Sequence, residues 1–455
     1  MTDFAGLRVH VIGLGALGTG RAMARVLAAR GAKVTVSDVK PAEQLKTEIA
    51  ALDGAGVAVL TGADAYRGLE DAELIVPSPG VPLDIPPLLQ ARGHGVRIVS
   101  EIEVAYWLAP CPIIAVTGTK GKTTTVALLG ELLHDAGVAA RVGGNIGVPL
   151  VQLAAEAAPG DLLVAEVSSF QLEATEQFRP RVAVLLNLFA DHLDRHGTME
   201  VYREAKARIF TNQEPTDRAV ISRDDSGAWA MHERTRARVL PFSTAAPAPE
   251  GADLCDGWLR VGGARICPAS SLRLRGKHNL GNALAALAAA QAVGAGLDAA
   301  EDTLRRFPGV EHRLEIVATV NGVTFVNDSQ ATTPPATLAA LEAFEGPVAL
   351  LLGGRAKVHE FAELAQAMAR RGAFSVVLGE AAEEIGAALR AAGVEVARAD
   401  SLPEAIWSAY RAVSPEGVVL LSPACASFDM FVNMAERGRV FREAVRAMAA
   451  AERET

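Results

Sequence analysis

Pro112-Ile113-Ile114-Ala115-Val116-Thr117-Gly118-Thr119-Lys120-Gly121-Lys122-Thr123-Thr124 reads as a buried strand that runs into a glycine-rich turn, and the helix-like pattern over 126–136 completes a strand, loop and helix. Backbone N–H groups of such a turn converge on phosphate oxygens, and the helix N-terminus adds the positive end of its dipole. Lys122 is placed to reach the outer phosphates and Thr123 to ligate Mg²⁺, with Gly118, Thr119, Lys120, Gly121 and Thr124 forming the rest of the cradle. The usual pattern has Gly five residues before the Gly-Lys pair, where this chain has Val116. A purely structural turn needs glycine but has no use for Lys-Thr. The segment therefore predicts a triphosphate site inside an α/β chain.

Composition narrows the classes. The chain has 455 residues, 50% of them apolar, enough for several cores in about two to four domains. A net charge of −9 without a long basic run argues against nucleic acid or an anionic membrane as partner. Cys111, Cys255, Cys267 and Cys425 form no CxxC pair and no metal spacing, as expected of thiols in a reducing cytosol. Asp3 stands where a signal peptide would be positive, and no apolar run reaches membrane-spanning length. These observations predict a soluble, cytoplasmic protein. Of 44 Lys plus Arg only eight are Lys, so each Lys poses the question of why Arg would not serve. A compact point charge, or an amine able to lose its proton and react, are the physical answers.

Toward the N-terminus, 7–13 predicts a strand, 16–30 a helix and 33–38 a second strand. Between them lies Gly13-Leu14-Gly15-Ala16-Leu17-Gly18, a complete GxGxxG, with Asp38 at the spacing of an acid on a ribose hydroxyl. Alone, this predicts a nicotinamide-dependent oxidoreductase. Further strands are expected at 73–77 and 97–100, with a Pro-rich loop over 77–87. A boundary follows at Ala109-Pro110-Cys111-Pro112.

Beyond the phosphate loop, 161–167 predicts a buried strand with an acid, Glu166, near its carboxyl end, and buried carboxylates are costly unless paired or metal-bound. The run 181–188 leads into Asn187-Leu188-Phe189-Ala190-Asp191-His192-Leu193-Asp194. Acids and histidine at strand ends beside a phosphate loop suggest a Mg²⁺–nucleotide site. Residues 215–275 are rich in turns and carry little signal, and Asn279 and Asn282 could cap an Ala-rich helix over 283–293. After a second break at Phe307-Pro308-Gly309, strands at 322–327, 347–352, 375–379 and 417–422 predict a third α/β domain.

Thr117 to Thr124, Glu166-Val167-Ser168-Ser169-Phe170-Gln171-Leu172, Asp191-His192-Leu193-Asp194, Tyr202-Arg203-Glu204-Ala205-Lys206, Gly276-Lys277-His278-Asn279, Glu311-His312-Arg313, Asn327-Asp328-Ser329 and Ser422 to Ser427 occur in the order seen in the Mur ligases. The chain resembles that family over nearly its whole length. The resemblance implies three domains: Rossmann-like 1–110 for a UDP-substrate, P-loop ATPase-like 111–308 with a parallel sheet for ATP, and Rossmann-like 309–455 for the incoming amino acid. It implies a monomer that joins D-glutamate to UDP-N-acetylmuramoyl-L-alanine in peptidoglycan precursor synthesis, with ATP consumed and an acyl phosphate as intermediate.

The resemblance also implies residue roles. Gly13, Gly15, Leu17, Gly18, Asp38, Ser78 and Gly80 would hold the UDP-substrate, with no nicotinamide involved, and Asn145 would meet the acyl phosphate. Thr123, Glu166, His192 and Lys206 would hold Mg²⁺, Lys206 as a carbamate. Lys122, Lys206, His192 and Asn145 are the implied catalytic set. Asn279, Asn282, Arg313 and Asp328 would hold ATP, and Thr332, Lys357 and Ser427 the amino acid. CO₂ adds only to a neutral amine, which suits a lysine and not an arginine. Three positions depart from the family: Gln330 where Lys is expected, Arg355 where Asp is expected, and Met434 where an aromatic is common. They bear on amino-acid recognition. A related Mur-type or folate polyglutamate ligase with a different amino acid, or a Mur-like subunit serving mainly as a binding partner, stands as an alternative, beside the oxidoreductase.

Overall fold

In a computed structural model, residues 3–14, 18–145, 147–274, 276–356 and 359–452 are described. They form two compact units, Met1–Phe307 and Pro308–Thr455, built on three sheets that are mainly parallel.

The first sheet comprises β1 (Arg8–Ile12), β2 (Lys33–Asp38), β3 (Ala58–Thr61), β4 (Leu74–Pro77) and β5 (Arg97–Ile98), ordered β3-β2-β1-β4-β5 and parallel throughout. Strand order reverses between β1 and β4, the place where open α/β sheets leave a crevice for ligand. Helix α1 (Thr19–Ala29) follows β1, and it can approach the turn because Gly20 has no side chain to strike the carbonyl of Gly13. Helices α2 (Pro86–Gly93) and α3 (Glu101–Leu108) also belong to this part, as does a short helical turn at Lys46–Ala50.

The second sheet holds β6 (Ile113–Thr117), β7 (Ala140–Gly144), β8 (Leu162–Glu166), β9 (Val182–Leu185), β10 (Arg218–Ser222), β11 (Arg238–Ser243), β12 (Ala252–Cys255), β13 (Trp258–Val261) and β14 (Ala264–Pro268). Its order is β14-β13-β12-β11-β10-β9-β6-β8-β7. The stretch 215–275, weakly informative as sequence, supplies β10 and β11 to the parallel part and an antiparallel meander at the edge. Helices α4 (Lys122–Asp135), α5 (Leu150–Glu156), α6 (Ser169–Leu172), α7 (Met199–Ala207) and α8 (Lys277–Ala292) flank this sheet. Helix α4 starts four residues before the apolar pattern suggested, because its first turn, Lys122 to Thr125, carries no apolar side chain. Helix α8 also starts earlier than expected. Its alanines from Ala283 to Ala290 are buried, and the helix packs closely on α4.

One continuous apolar cluster joins residues of the first two sheets, from Phe4 through Val104 and Trp107 to Leu150 and Ile221. The link is α3, which lies against α5 and buries two acids among its apolar side chains. Glu103 accepts N–H bonds from Glu176, Gln177 and Phe178 at 2.8–3.0 Å. Glu101 accepts from Val151 N at 2.7 Å and Gln171 Nε2 at 3.3 Å. Buried carboxylates are tolerable when so many donors face them.

The second unit contains β15 (Glu315–Val320), β16 (Val323–Asn327), β17 (Val348–Gly353), β18 (Phe374–Leu378), β19 (Val396–Arg398) and β20 (Gly417–Leu421), ordered β15-β16-β20-β17-β18-β19. Only β15 runs antiparallel, paired with β16. Helices α9 (Pro334–Glu342), α10 (Ala362–Arg371), α11 (Ala382–Ala391), α12 (Leu402–Val413) and α13 (Met434–Ala451) cover its faces. The edge strands β15 and β19 escaped the sequence reading because they are short or half-exposed and lack a continuous apolar run.

Candidate functional site

The phosphate loop leaves the carboxyl end of β6, which lies between β9 and β8 in the parallel part of its sheet. Gly118 (φ 152°) and Gly121 (φ 87°) adopt backbone conformations that L side chains rarely adopt. A Cβ on Gly121 would collide with the Asn282 carboxamide, so Asn282 lies directly against the loop. Asn282 Nδ2 donates to Asn279 Oδ1 at 3.1 Å. Both lie inside α8, whose N-cap is Gly276, so the capping role expected as an alternative for them is not the one they have. Lys122 opens α4, and its ammonium donates to the carbonyls of Gly118 and Thr119 at 2.9 and 3.0 Å. Thr123 is the next residue of the helix and is half-buried. Lys120 pairs with Asp191 at 3.3 Å, and its N–H donates to Asn187 Oδ1. The Thr119 hydroxyl is within hydrogen-bond distance of Phe189 O and the Tyr202 hydroxyl.

Glu166 ends β8 and is buried. Its Oε1 accepts from Asn145 Nδ2 at 3.1 Å, while Oε2 has no hydrogen-bond partner. Gly144 (φ 110°) lets the Asn145 segment pass so close that a Cβ there would strike the Glu166 carbonyl. Lys206, on α7, is almost wholly buried, and its ammonium donates to Gly118 O at 3.0 Å and Thr117 Oγ1 at 3.3 Å, 4.9 Å from the Tyr202 ring centroid. Burial, and then the neighbouring Lys122 charge, hold its pKa well below the ordinary lysine value, against the opposing pull of Asp191 and Glu166. The structure thus brings Lys122, Lys206, Glu166 and Asn145 to the ends of adjacent strands. His192 lies nearby on exposed backbone, with a left-handed φ of 53° and a side chain about half exposed. Among the described residues, no three His, Cys, Asp or Glu side chains converge as a metal cage.

At the first sheet's crevice, Gly13 (φ 89°) follows β1 and Ser78 follows β4, and the Ser78 hydroxyl donates to Gly13 O at 2.7 Å. Asp38 closes β2, and its carboxylate takes the N–H groups of Leu14 and Lys40. Gly18 caps α1, and Gly80 is exposed on the loop beyond β4. Gly15 and Leu17 lie outside the described residues.

In the second unit, Asp328 follows β16 and is buried, taking the Ser422 hydroxyl at 2.9 Å and Leu314 N at 3.2 Å. Burial pushes its pKa up to about 7, and the charge of half-buried Arg313 partly opposes this. Ser427 is buried with its hydroxyl unpartnered, and Thr332 is half-buried. Lys357 lies outside the described residues. Of the departures, Arg355 gives both ends of its guanidinium to Glu380 at 2.8 and 2.9 Å, Gln330 Nε2 donates to Glu311 O, and Met434 O accepts from Ser329 Oγ. The sequence reading passed over Glu101 and Glu103, and quoted their neighbour Gln171 only within a motif. The signal was two acids on a helix otherwise made of Ile102, Val104, Ala105, Trp107 and Leu108.

Three family descriptions match in order: the N-terminal domain of MurD-like Mur ligases over residues 7–100, the Mur ligase middle domain over 116–290, and the Mur ligase glutamate ligase domain over 312–425. A protein of Pelotomaculum thermopropionicum named UDP-N-acetylmuramoylalanine--D-glutamate ligase is 45% identical, with 98% of each chain covered. The chain belongs to the Mur ligase family. Another relative of that name, from Koribacter versatilis, is 43% identical to this Mur ligase over 99% of the chain and 100% of its own length. Among solved structures, a UDP-N-acetylmuramate-alanine ligase of Thermotoga maritima (TM-score 0.60, 21% identity, 97% of this chain and 100% of that one) shares the fold of this Mur ligase. A pseudomurein peptide ligase of Methanothermus fervidus shares it as well (TM-score 0.59, 18% identity, 97% and 100%).

Proposed function

We propose that this Mur ligase joins D-glutamate to UDP-N-acetylmuramoyl-L-alanine, with ATP as the phosphoryl donor and phosphate as the leaving group. The relatives of that name, matched from end to end, support the substrate pair. The observation that carries the reaction type is the meeting of the phosphate loop with Glu166, Asn145 and Lys206 at neighbouring strand ends. In the proposed division of labour, 1–110 holds the UDP-substrate, 111–308 holds ATP and 309–455 the amino acid, all small-molecule partners of a monomeric chain.

The chemistry follows from the groups present. A carboxylate is a poor electrophile, so its oxygen attacks the γ-phosphorus and the bond to ADP breaks, giving an acyl phosphate. The amine of D-glutamate then attacks that carbonyl, loses a proton and expels inorganic phosphate. Lys122, Lys120 and the loop N–H groups hold the phosphates and spread their charge, Asn145 orients the acyl phosphate, and Asn279, Asn282, Arg313 and Asp328 bind ATP. Gly13, Gly18, Asp38, Ser78 and Gly80, with Gly15 and Leu17, bind the UDP-substrate, and Thr332, Lys357 and Ser427 the amino acid.

The residues fit Mg²⁺. The buried Oε2 of Glu166 has no hydrogen-bond partner and can accept a cation, and Thr123 offers a hydroxyl at the start of α4. Few protein ligands suit an ion shared with phosphates and water. When bound, Mg²⁺ neutralises charge on the transferred phosphoryl group. Lys206 fits carbamylation, since burial favours the neutral amine that CO₂ requires, and the carbamate with His192 would then hold a second ion.

The test is phosphate release by the purified protein across a matrix of UDP-muramoyl acceptors and amino acids. D-glutamate with UDP-N-acetylmuramoyl-L-alanine is expected to give the highest rate. A preference for L-glutamate or a neutral amino acid would refute the substrate assignment.

A further inference from the structure

A cavity of about 660 Å³ opens between α2 of the first sheet's part and α7 of the second, within the size range of small-molecule sites. It contains none of the residues assigned above to ATP, UDP-substrate, amino acid or metal. Leu83, Leu89 and Val201 line it, and the last two are about half exposed, so apolar surface faces water here. Its charge is opposite to that of the chain. Four arginines face three carboxylates in a protein of net charge −9.

Two of those arginines are spent on partners. Arg195 pairs with Glu173 at 2.7 Å, and Arg234 with Glu204 at 2.7 Å. Arg208 gives its guanidinium to the carbonyls of Leu172 and Thr175, which orients it but leaves its charge in place. Arg92 is exposed on α2, and Asp84 is the one lining acid outside these pairs. The lining thus combines an apolar wall with one net positive charge.

We propose that this cavity is a second small-molecule site, selective for an amphipathic monoanion: an apolar ring or chain against Leu83, Leu89 and Val201, with its carboxylate or sulfonate toward Arg92 and Arg208. The site stands apart from the ligase reading, since no residue of that reading lines it. Helix α7 connects them physically. Glu204, Ala205 and Ala207 face the cavity, while Lys206 between them reaches the phosphate loop.

The experiment is a fluorescence titration of the full chain with 8-anilinonaphthalene-1-sulfonate, in the presence of saturating ADP and UDP-N-acetylmuramoyl-L-alanine. One saturable site is expected. Its affinity falls about tenfold in Arg92→Glu, the loss expected when a charged contact is removed, and comparably in Val201→Glu, whereas Arg355→Glu in the other unit leaves it unchanged. Binding that fails to saturate, that is equal in wild type and both cavity variants, or that disappears when the UDP-substrate is added would overturn the proposal.

Discussion

Replacing Glu101 with Gln should change the slope of stability against pH as well as its level. Burial raises the Glu101 pKa from 4.5 to about 7, offset in part by the N–H of Val151 and the amide of Gln171. The folded chain therefore keeps a proton that the unfolded chain has released over that interval. The resulting stabilisation is fully present below the unfolded value and is lost as pH rises through about 7. A shift of this size corresponds to about 3 kcal/mol at full development, at 1.36 kcal/mol per unit. Gln has the same shape and no ionisation. It loses one acceptor oxygen, at a cost of about 1 kcal/mol that does not depend on pH. Relative to wild type, the variant should thus gain about 2 kcal/mol between roughly pH 5.5 and 8.5. Urea unfolding at both pH values, followed by tryptophan fluorescence and circular dichroism, reads this directly. Parallel pH profiles for the two proteins would refute the idea that a buried, proton-retaining carboxyl joins α3 to α5.

Lys122→Ala should slow ligation by on the order of 10²-fold or more while calorimetric affinity for the UDP-substrate stays nearly unchanged, because one phosphate-stabilising charge is lost. Lys206→Ala should be nearly inactive and partly restored by added acetate or propionate, which can supply the missing oxygen ligand; full unaided activity would leave the carbamate without a role. Gly121→Ala imposes a left-handed backbone on alanine and a clash with Asn282, so nucleotide binding should weaken by about 1–3 kcal/mol in a calorimetric titration while the UDP-substrate still binds.

The residues that spoke clearly in the sequence were those whose chemistry has no structural excuse. Lys122 and Thr123 after a glycine turn, and Glu166 at the end of an apolar strand, stand where expected, because strand period and turn chemistry are local properties. Short edge strands such as β19 lacked that local signal, and the β12 to β14 meander was visible only as turns and alternation. Glu101 and Glu103 were harder to read for a different reason. Their partners lie 50 to 75 residues away in sequence, and a carboxylate bound to distant backbone N–H groups looks, one residue at a time, like an ordinary acid in a helix's first turn. Arg355 was legible as a cation but not as one already engaged by Glu380.

The apolar cluster shared by the first two sheets has a consequence for how such chains can be recombined. Exchange of the segment before residue 110 with that of a relative would cut through packed side chains on α3 and α5 and strip Glu103 of the backbone groups that solvate it. The graft would inherit a seam of mismatched volumes and unmatched charge. The first two sheets must therefore vary in concert, so inheritance of the N-terminal sheet is tied to that of the glycine-rich loop after β6.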